Sequence, residues 1–322
     1  MRSISLPDVP YGATAVRPGW PDLPESLRRA VAARLGAPVS DVRSAGGGFT
    51  RAFAALITTA DGPAAFVKAA PLKDPTSEWY AREAYITSHL PAEVAAPRPL
   101  WTMVDSDYFV VCLEPVDGHV PALPWSPPEL DAALTAWRTA ADALATPSRE
   151  LLEAGVPHLP EILRGEMSWW SRIAAGREPM PRTAHGTVAP TRLAHLTRLE
   201  QQLPGLAGGD ALMHGDLRID NLMIDRSGHA RLCDWTWPAR GAAWFDTVTL
   251  LVTVFASGLD ADSYLDGWNA PTEGVDGALA ALAGYWLVRA DDGPSSASPH
   301  SRQHQRFSGE QALAWLAARR GW

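Results

Sequence analysis

The feature that most constrains this 322-residue chain is the stretch "LMHGDLRIDNLMID" at residues 212–225. Within it, residues 214–221 contain a His, two Asp, an Arg and an Asn, and apolar residues flank them on both sides. The runs "NLMID" and "ARLCDW", which surround the turn "RSGH", predict two short strands that would fix the polar segment as a loop. Three interpretations are open at this point: a catalytic loop, a metal site, or a charged turn between strands.

The spacing of three oxygen-bearing side chains favours the catalytic interpretation. Asp216 and Asn221 are five positions apart, and Asp234 ends the next predicted strand pair. Phosphoryl transfer from a nucleotide requires a carboxylate beside the attacking hydroxyl group and oxygen ligands that hold Mg²⁺ on the phosphates. Mg²⁺ prefers hard oxygen ligands and usually takes only one or two from the protein. The spacing Asp-x-x-x-x-Asn, followed by a further Asp, is that of a kinase catalytic loop and its metal site.

The segments "HGDLRIDN" and "CDW" together resemble the aminoglycoside phosphotransferase/choline kinase-type family of the protein kinase-like fold. In that family HGD replaces the HRD of protein kinases, and D-W commonly replaces D-F-G. The resemblance extends over residues 40–255 and implies an α+β, bilobal fold with a small β-rich lobe and a larger, mainly α-helical lobe. The expected lobes are residues 1–114, which would bind the nucleotide and include the amino-terminal arm and helix, and residues 115–322, which would carry catalysis and substrate binding.

The resemblance implies a role for each polar residue of the signature. Asp216 would be the catalytic base that accepts or orients the hydroxyl proton of the substrate, and Asn221 and Asp234 would be ligands of Mg²⁺. Arg218 stands two residues after the base, where protein kinases often carry a Lys near the γ-phosphate. It is therefore a candidate for stabilising charge in the transition state, and a surface salt bridge is the alternative.

Three neighbouring residues are expected to have structural roles. His214 is expected to bond the backbone around the loop rather than carry a proton. Asp220 is expected to be solvated or to cap the loop. Asp246, in "AAWFDTVTLL", is expected to cap the following helix and anchor the loop.

The amino-terminal half contains the other parts that such an enzyme needs. A glycine-rich turn in "AGGGFTRAF" would cover the phosphates with its backbone N–H groups. Its residues are Gly46, Gly47 and Gly48, with Phe49 at the tip. Lys68, in "FVKAA", is a cation in an apolar strand, which is costly unless it is paired. The expected partner is Glu83 in "YAREAYI", and Glu78 is the alternative.

The segment "VVCLEPVDG" resembles the family's hinge, in which an apolar strand ends in Glu before a short linker that contains glycine. Backbone groups at Leu113, Glu114 and Val116 are expected to hold the nucleotide base there.

The remaining elements are predicted from periodicity. The order up to the hinge is strand, glycine loop, strand, Asp-Gly turn, strand, helix, strand, and an amphipathic helix capped by Asp22 and ended by Gly36 precedes it. In the helix that carries Glu83, the expected core residues are Trp79, Ala84 and Ile86. Helices are also predicted at 129–146, through much of the region to 203, from about 244, and at 275–290 and 309–320.

Composition excludes several classes of partner. The net charge is −8 and the chain has no basic run, which argues against nucleic acid. Its two Cys residues lie in apolar stretches with no metal-binding spacing. The amino terminus has no apolar signal segment, and the most apolar stretch is too short to span a membrane. We therefore expect a cytoplasmic protein without a membrane or nucleic-acid partner, as a monomer or homodimer.

The leading functional prediction is a kinase that uses ATP (GTP is possible) and Mg²⁺ to phosphorylate a hydroxyl group of a small molecule. An aminoglycoside or related antibiotic, another natural product, a sugar, an amino alcohol or a nucleoside are the candidate acceptors. The alternatives are a protein or peptide Ser/Thr kinase, a non-catalytic nucleotide-binding pseudoenzyme, and a metal-dependent hydrolase.

Two features of the sequence bear on the acceptor. A polycationic aminoglycoside would need a cleft lined by carboxylates. The acidic residues expected to wall it are Glu161, Glu166, Asp262, Asp266, Glu273, Asp276, Asp291 and Asp292. Trp169 and Trp170, in the unusual segment "EMSWWSR", belong either to the core or to an acceptor pocket.

Overall fold

The computed structural model describes residues 3–60, 62, 64–184, 188–293 and 296–322. Its helices are α1 (Glu25–Leu35), α2 (Thr76–His89), α3 (Pro127–Ala143), α4 (Arg149–Glu153), α5 (Leu159–Glu166), α6 (Trp169–Ala174), α7 (Pro190–Leu206), α8 (Trp244–Ala256), α9 (Thr272–Asp291) and α10 (Ser301–Arg320). Its strands are β1 (Val39–Ser44), β2 (Phe53–Thr59), β3 (Ala65–Pro71), β4 (Pro99–Asp105), β5 (Tyr108–Leu113), β6 (Gly118–His119), β7 (Leu212–Met213), β8 (Leu222–Asp225), β9 (Ala230–Leu232) and β10 (Ala239–Arg240).

The amino-terminal half forms an antiparallel sheet in the order β1-β2-β3-β5-β4. Helix α1 packs on one face through Leu27 and Val31, and α2 packs on the other face through Tyr80 and Ala84. Because side chains alternate along β3, Lys68 points to the face that α2 covers. The strand order predicted from the sequence lacks β4. None of the residues of β4 is fully buried, so it lacks the continuous apolar run that identified β5.

Two local predictions about the helices of this half need correction. Helix α1 ends at Gly36 as expected, at a φ of 82°, but Asp22 does not cap it. The carboxylate of Asp22 instead accepts a hydrogen bond from Gly19 N at 2.7 Å and closes a short turn before the helix. Trp79 is 37% exposed and is not a core residue, because its side chain faces the cleft between the lobes. Asp61 of the predicted Asp-Gly turn lies outside the described residues.

The larger, mainly helical half has one extended core. Trp137, Trp170 and Trp315 are fully buried there, and the indole Nε1 of Trp170 donates to Ala280 O at 2.7 Å. Trp169 is 6% exposed and belongs to the same core. The core interpretation of this Trp pair is therefore confirmed. No helix among the described residues is long and apolar enough to cross a membrane.

The chain before α1 is an arm that connects both halves. Its Ser5 N donates to Ala256 O at the end of α8, and Tyr11 packs into the larger core against His304 of α10. Further along, Ala15 N donates to Gly46 O in the loop between β1 and β2. The loop of the smaller half is thus tied to the larger half by the first residues of the chain.

Candidate active site

The loop between β7 and β8 is built around a neutral histidine. His214 is fully buried, and its Nε2 lies 2.9 Å from Cys233 O, to which it can only donate. Its Nδ1 then accepts from Asp216 N at 3.3 Å. Burial lowers the pKa of His214 to about 4, which agrees with a neutral ring. The predicted structural role of His214 is confirmed, since the ring joins this loop to the strand that precedes Asp234.

The residue after His214 must be glycine. Gly215 has a φ of 78°, and a Cβ at this position would lie 1.9 Å from Trp237 O. Its N–H group donates to both carboxylate oxygens of Asp246 at 3.1 Å. Asp246 therefore anchors the loop as predicted. The helix-cap prediction was wrong, because the carboxylate of Asp246 points to the loop rather than to the end of α8.

Four polar side chains of the loop form one hydrogen-bonded cluster. Arg218 binds Asp220 through Nε and Nη2, both at 3.0 Å, and binds Asp216 Oδ1 through Nη1 at 2.8 Å. Asn221 Nδ2 donates to Asp216 O at 2.8 Å and to Asp216 Oδ2 at 3.1 Å. Of the two roles expected for Asp220, solvation is wrong, since its side chain is 1% exposed and is held within the loop by the Arg218 fork.

The carboxyl group of Asp216 has an elevated proton affinity. Burial raises its pKa to about 7, although the charge of Arg218 opposes the shift. A carboxylate with a pKa near neutrality can accept a proton from a hydroxyl group at ordinary working pH.

Asp234 follows β9 in a backbone conformation that is unusual for its residue type. Its φ is 62°, a region that costs energy for residues other than glycine and occurs often at functional sites. Burial opposes its ionisation, but Lys68 and the hydroxyl group of Thr236, 2.6 Å from Oδ1, together lower the pKa of Asp234. Cys233 N donates to Asn221 O at 2.8 Å, so the segments that carry Asp234 and Asn221 are joined.

The predicted ion pair between β3 and α2 is present. Lys68 Nζ lies 2.7 and 2.6 Å from the two carboxylate oxygens of Glu83, whose side chain is 3% exposed. Burial alone would lower the pKa of Lys68, but Glu83, Asp234 and Tyr80 together outweigh it and raise that pKa. Glu78, the alternative partner, is an exposed residue of α2.

Two cavities meet at this constellation. The first, of about 560 Å³, extends from the glycine loop to the segment that follows β5. The predicted site residues that line it are Gly46, Gly47, Gly48, Lys68, Glu83, Leu113, Glu114, Val116, Asn221 and Asp234.

The second cavity, of about 440 Å³, contains Asp216 and Arg218. Phe49, predicted with the nucleotide loop, lines this second cavity, and its ring lies 5.6 Å from the guanidinium group of Arg218. Asn221 and Asp234 line both cavities.

Sequence reasoning missed the contribution of the arm before α1. Arg17 donates from Nη2 to Gly47 O at 2.9 Å and from Nη1 to Ala52 O at 3.1 Å, and it lines both cavities. Thr14 Oγ1 donates to Gly48 O at 3.2 Å. The arm has no hydrophobic periodicity, so nothing in the sequence indicated that it would reach the glycine loop.

Comparison with known proteins identifies a matching family and solved structures of similar fold. The model of the phosphotransferase enzyme family matches residues 41–318. Aminoglycoside phosphotransferase APH(4)-Ia has a similar structure, with a TM-score of 0.58 at 14% identity over 91% of this chain and 98% of that chain. Choline kinase LicA from Streptococcus pneumoniae has a TM-score of 0.58 at 15% identity over the same shares. No curated protein sequence matches the chain.

The two structural neighbours show the fold, which is the bilobal protein kinase-like fold that the signature implied. The family match covers most of the chain, from within β1 to within the last turn of α10. The chain therefore belongs to the phosphotransferase enzyme family.

Proposed function

We propose that the chain transfers the γ-phosphoryl group of Mg·ATP to a hydroxyl group of a small molecule. One observation carries the proposal: Asn221 and Asp234 line both cavities, whereas Asp216 lines the second. A nucleotide in the first cavity and an acceptor in the second would face each other across the side chains of Asn221 and Asp234. Transfer between bound partners in such an arrangement depends on positioning and charge stabilisation.

The first cavity has the groups that a nucleotide requires. The loop at residues 46–48 can offer backbone N–H groups to phosphates, and Lys68 supplies a cation whose position Glu83 fixes. The backbone of residues 113–116 borders the far end, where the base would lie. Solved structures of APH(4)-Ia contain ADP or AMP-PNP. ATP is the proposed nucleotide, and GTP is the competitor to be compared with it.

Asn221 and Asp234 fit a Mg²⁺ ion. Both present hard oxygen atoms, and the hydrogen bond from Cys233 N to Asn221 O keeps their segments together. The described residues contain no group of three or more His, Cys, Asp or Glu that could hold a metal, so phosphate and water would complete the ion's coordination. When bound, the ion would neutralise charge on the nucleotide phosphates.

Asp216 is the proposed base. Its carboxylate lies in the second cavity and would accept the proton of the acceptor hydroxyl group. Arg218 is the proposed cation beside it. Because Asp220 fixes Nε and Nη2 of Arg218, Nη1 stays next to Asp216, where it orients the base and offsets charge as the phosphoryl group arrives.

Acceptor-dependent ADP formation tests this function. The wild-type enzyme is assayed with Mg·ATP over aminoglycosides, amino alcohols, nucleosides, aromatic alcohols and Ser/Thr peptides. We expect turnover with at least one small molecule, and a loss of about 10²–10⁴-fold in the Asp216→Asn variant with ATP affinity retained. Transfer to none of these acceptors would favour the pseudoenzyme, and faster transfer to peptides than to small molecules would favour a peptide kinase.

A further inference from the structure

The wall of the second cavity is rich in aromatic side chains. Seven Tyr, Phe and Trp side chains line it: Tyr11, Phe49, Trp79, Tyr80, Trp237, Tyr285 and Trp286. The eight acidic residues predicted to wall an acceptor cleft are all described, and none of them lines it. Four are exposed on helix surfaces or loops: Glu161, Glu166, Asp266 and Glu273. The other four pair with arginines: Asp262 and Asp276 with Arg319, Asp291 with Arg182, and Asp292 with Arg289.

Two of these aromatic residues form the mouth of the cavity. Trp79 of α2 and Trp237, which follows β9, come from opposite lobes, and their rings meet edge to face with centroids 5.4 Å apart. Their residues remain 37% and 49% exposed. Large aromatic surfaces left in contact with water at the mouth of a cavity are typical of ligand-binding sites. An apolar ligand would bury this surface, which neither lobe covers by itself.

The carboxylates in the cavity already have partners or proposed roles. Asp216 and Asp220 bind Arg218, and Asp74 accepts the hydrogen bond of Thr76 N at 2.9 Å at the start of α2. Asp234 is the proposed metal ligand. A polycation needs carboxylates that it can pair with, because a buried cation without a partner is costly.

The cations in the cavity balance the remaining acids. Arg17, Arg51 and Arg218 line it, and the acids other than Asp234 are also three: Asp74, Asp216 and Asp220. Arg51 Nε donates to Ala297 O at 2.7 Å, so part of its guanidinium group is engaged by the protein. The charge of the lining therefore favours a ligand without a net charge.

We propose that the acceptor is a neutral aromatic alcohol or phenol that stacks on Trp79 and Trp237. This inference rests on the proposed phosphotransferase function and names the substrate class of the same site. The cavity volume of about 440 Å³ lies within the range of pockets for compounds of several rings. The aromatic portion stacks at the mouth on the exposed surfaces of the two indoles, and the hydroxyl group extends toward Asp216.

Binding to the Asp216→Asn variant in the presence of Mg·AMP-PNP tests the acceptor class without requiring transfer. The neutral probes are naphthyl ethanol and the flavonoid catechin, and the cationic probes are hygromycin B and choline. We expect the neutral probes to bind more tightly. Adding Trp79→Ala or Trp237→Ala should weaken them roughly tenfold, and Trp237→Phe should preserve most of the affinity.

Tyr85→Ala is the matched control, because Tyr85 is an aromatic residue of α2 that is 40% exposed and does not line the cavity. It should leave binding of the neutral probes unchanged. Tighter binding of hygromycin B or choline, no binding of the neutral probes, or equal effects of the Trp79, Trp237 and Tyr85 substitutions would overturn the inference. These results would not affect the proposed function, which fails separately if Mg·ATP supports no transfer to any acceptor.

Discussion

At the scale of single residues, the site depends on which groups are charged and which are neutral. His214 must be neutral because a protonated ring would lose the acceptor at Nδ1 for the N–H group of Asp216. Lys68 must be charged and paired, since it is 12% exposed in an otherwise apolar strand. The neutral state of His214 and the charged, paired state of Lys68 can each be tested by a substitution.

Replacing His214 should change how stability depends on pH. Its folded pKa of about 4 is below the value of 6.5 expected when unfolded, so between these pH values the unfolded state binds more protons. The stability that neutral His214 contributes is therefore present above pH 6.5 and is lost on acidification toward pH 4, by at most about 1.4 kcal/mol per pH unit.

Urea unfolding of the wild type and His214→Gln, at neutral pH and near pH 5, measures this effect. We expect the wild type to be the more stable at neutral pH and the difference to narrow at the lower pH. Groups common to both proteins cancel in this comparison. A difference that stays constant or widens on acidification would show that His214 is not held neutral.

Replacing Lys68 should affect folding and nucleotide binding through separable causes. Lys68→Ala leaves the carboxylate of Glu83 buried without its partner, which should cost about 3–5 kcal/mol of unfolding free energy. The double variant Lys68→Met/Glu83→Gln removes both charges and should regain much of that stability. Its affinity for ATP should nevertheless stay below that of the wild type, measured as a raised KM for ATP. Restored stability together with wild-type ATP kinetics would remove Lys68 from the nucleotide site.

At the scale of elements, the glycine loop is the part whose surroundings could not be foreseen. The loop itself and the pairing of β3 with α2 were predicted. A glycine cluster alone is a weak signal, because glycines also make ordinary hairpins, but here it precedes an isolated Lys in an apolar strand. The arm that holds the loop was not predicted. Its contacts at Thr14, Ala15 and Arg17 reach loop carbonyl groups about thirty residues further along the chain, and no periodic pattern encodes such contacts.

Removing the charged contact of the arm should weaken nucleotide binding. Arg17→Ala loses hydrogen bonds to Gly47 O and Ala52 O and removes a cation from the border of both cavities. We expect the KM for ATP to rise roughly tenfold, since a hydrogen bond to a charged group contributes about 1.5 kcal/mol or more.

Arg29→Ala is the control, because Arg29 is on the surface of α1 with its side chain 75% exposed. If both variants keep the wild-type KM, the arm has no part in holding the loop for the nucleotide.

The prediction that Trp79 belongs to the core shows a second limit of sequence reasoning. Helical periodicity identifies the residues on the side of a helix that faces away from solvent. It correctly predicted that Ala84 and Ile86 are buried. It does not distinguish packing against a sheet from lining a cleft, because both require an apolar side chain on an inner face. The role of Trp79 emerges only when the two lobes are brought together.

At the scale of the whole molecule, the two lobes meet around the two adjoining cavities. The signature in the larger lobe predicted the fold and the family, because Asp216, Asn221 and Asp234 are encoded by short spacings. The acceptor side could not be predicted in the same way. Its lining combines residues from the arm, the glycine loop, α2, the segment after β9, and α9 and α10, which are distant in sequence.

A ligand that binds both lobes should stabilise the whole molecule. Saturating Mg·ATP at about a hundredfold excess over its Kd should add about 2.7 kcal/mol to the free energy of unfolding, which appears as a higher Tm. Asp234→Asn should remove the magnesium-dependent part of the rise. The exposed Asp266, changed to Asn, is the matched control and should keep it. Equal shifts in both variants would mean that Asp234 does not hold the metal.

The most direct test of the central claim is a single-turnover experiment with ATP that carries a radiolabelled γ-phosphoryl group. Enzyme in excess over labelled ATP is mixed with Mg²⁺ and an acceptor that supports turnover. Our account predicts that the label moves to the hydroxyl group of the acceptor with wild-type enzyme, and that Asp216→Asn binds the labelled ATP but transfers the label about 10²–10⁴ times more slowly. Transfer at the wild-type rate by Asp216→Asn would contradict the account.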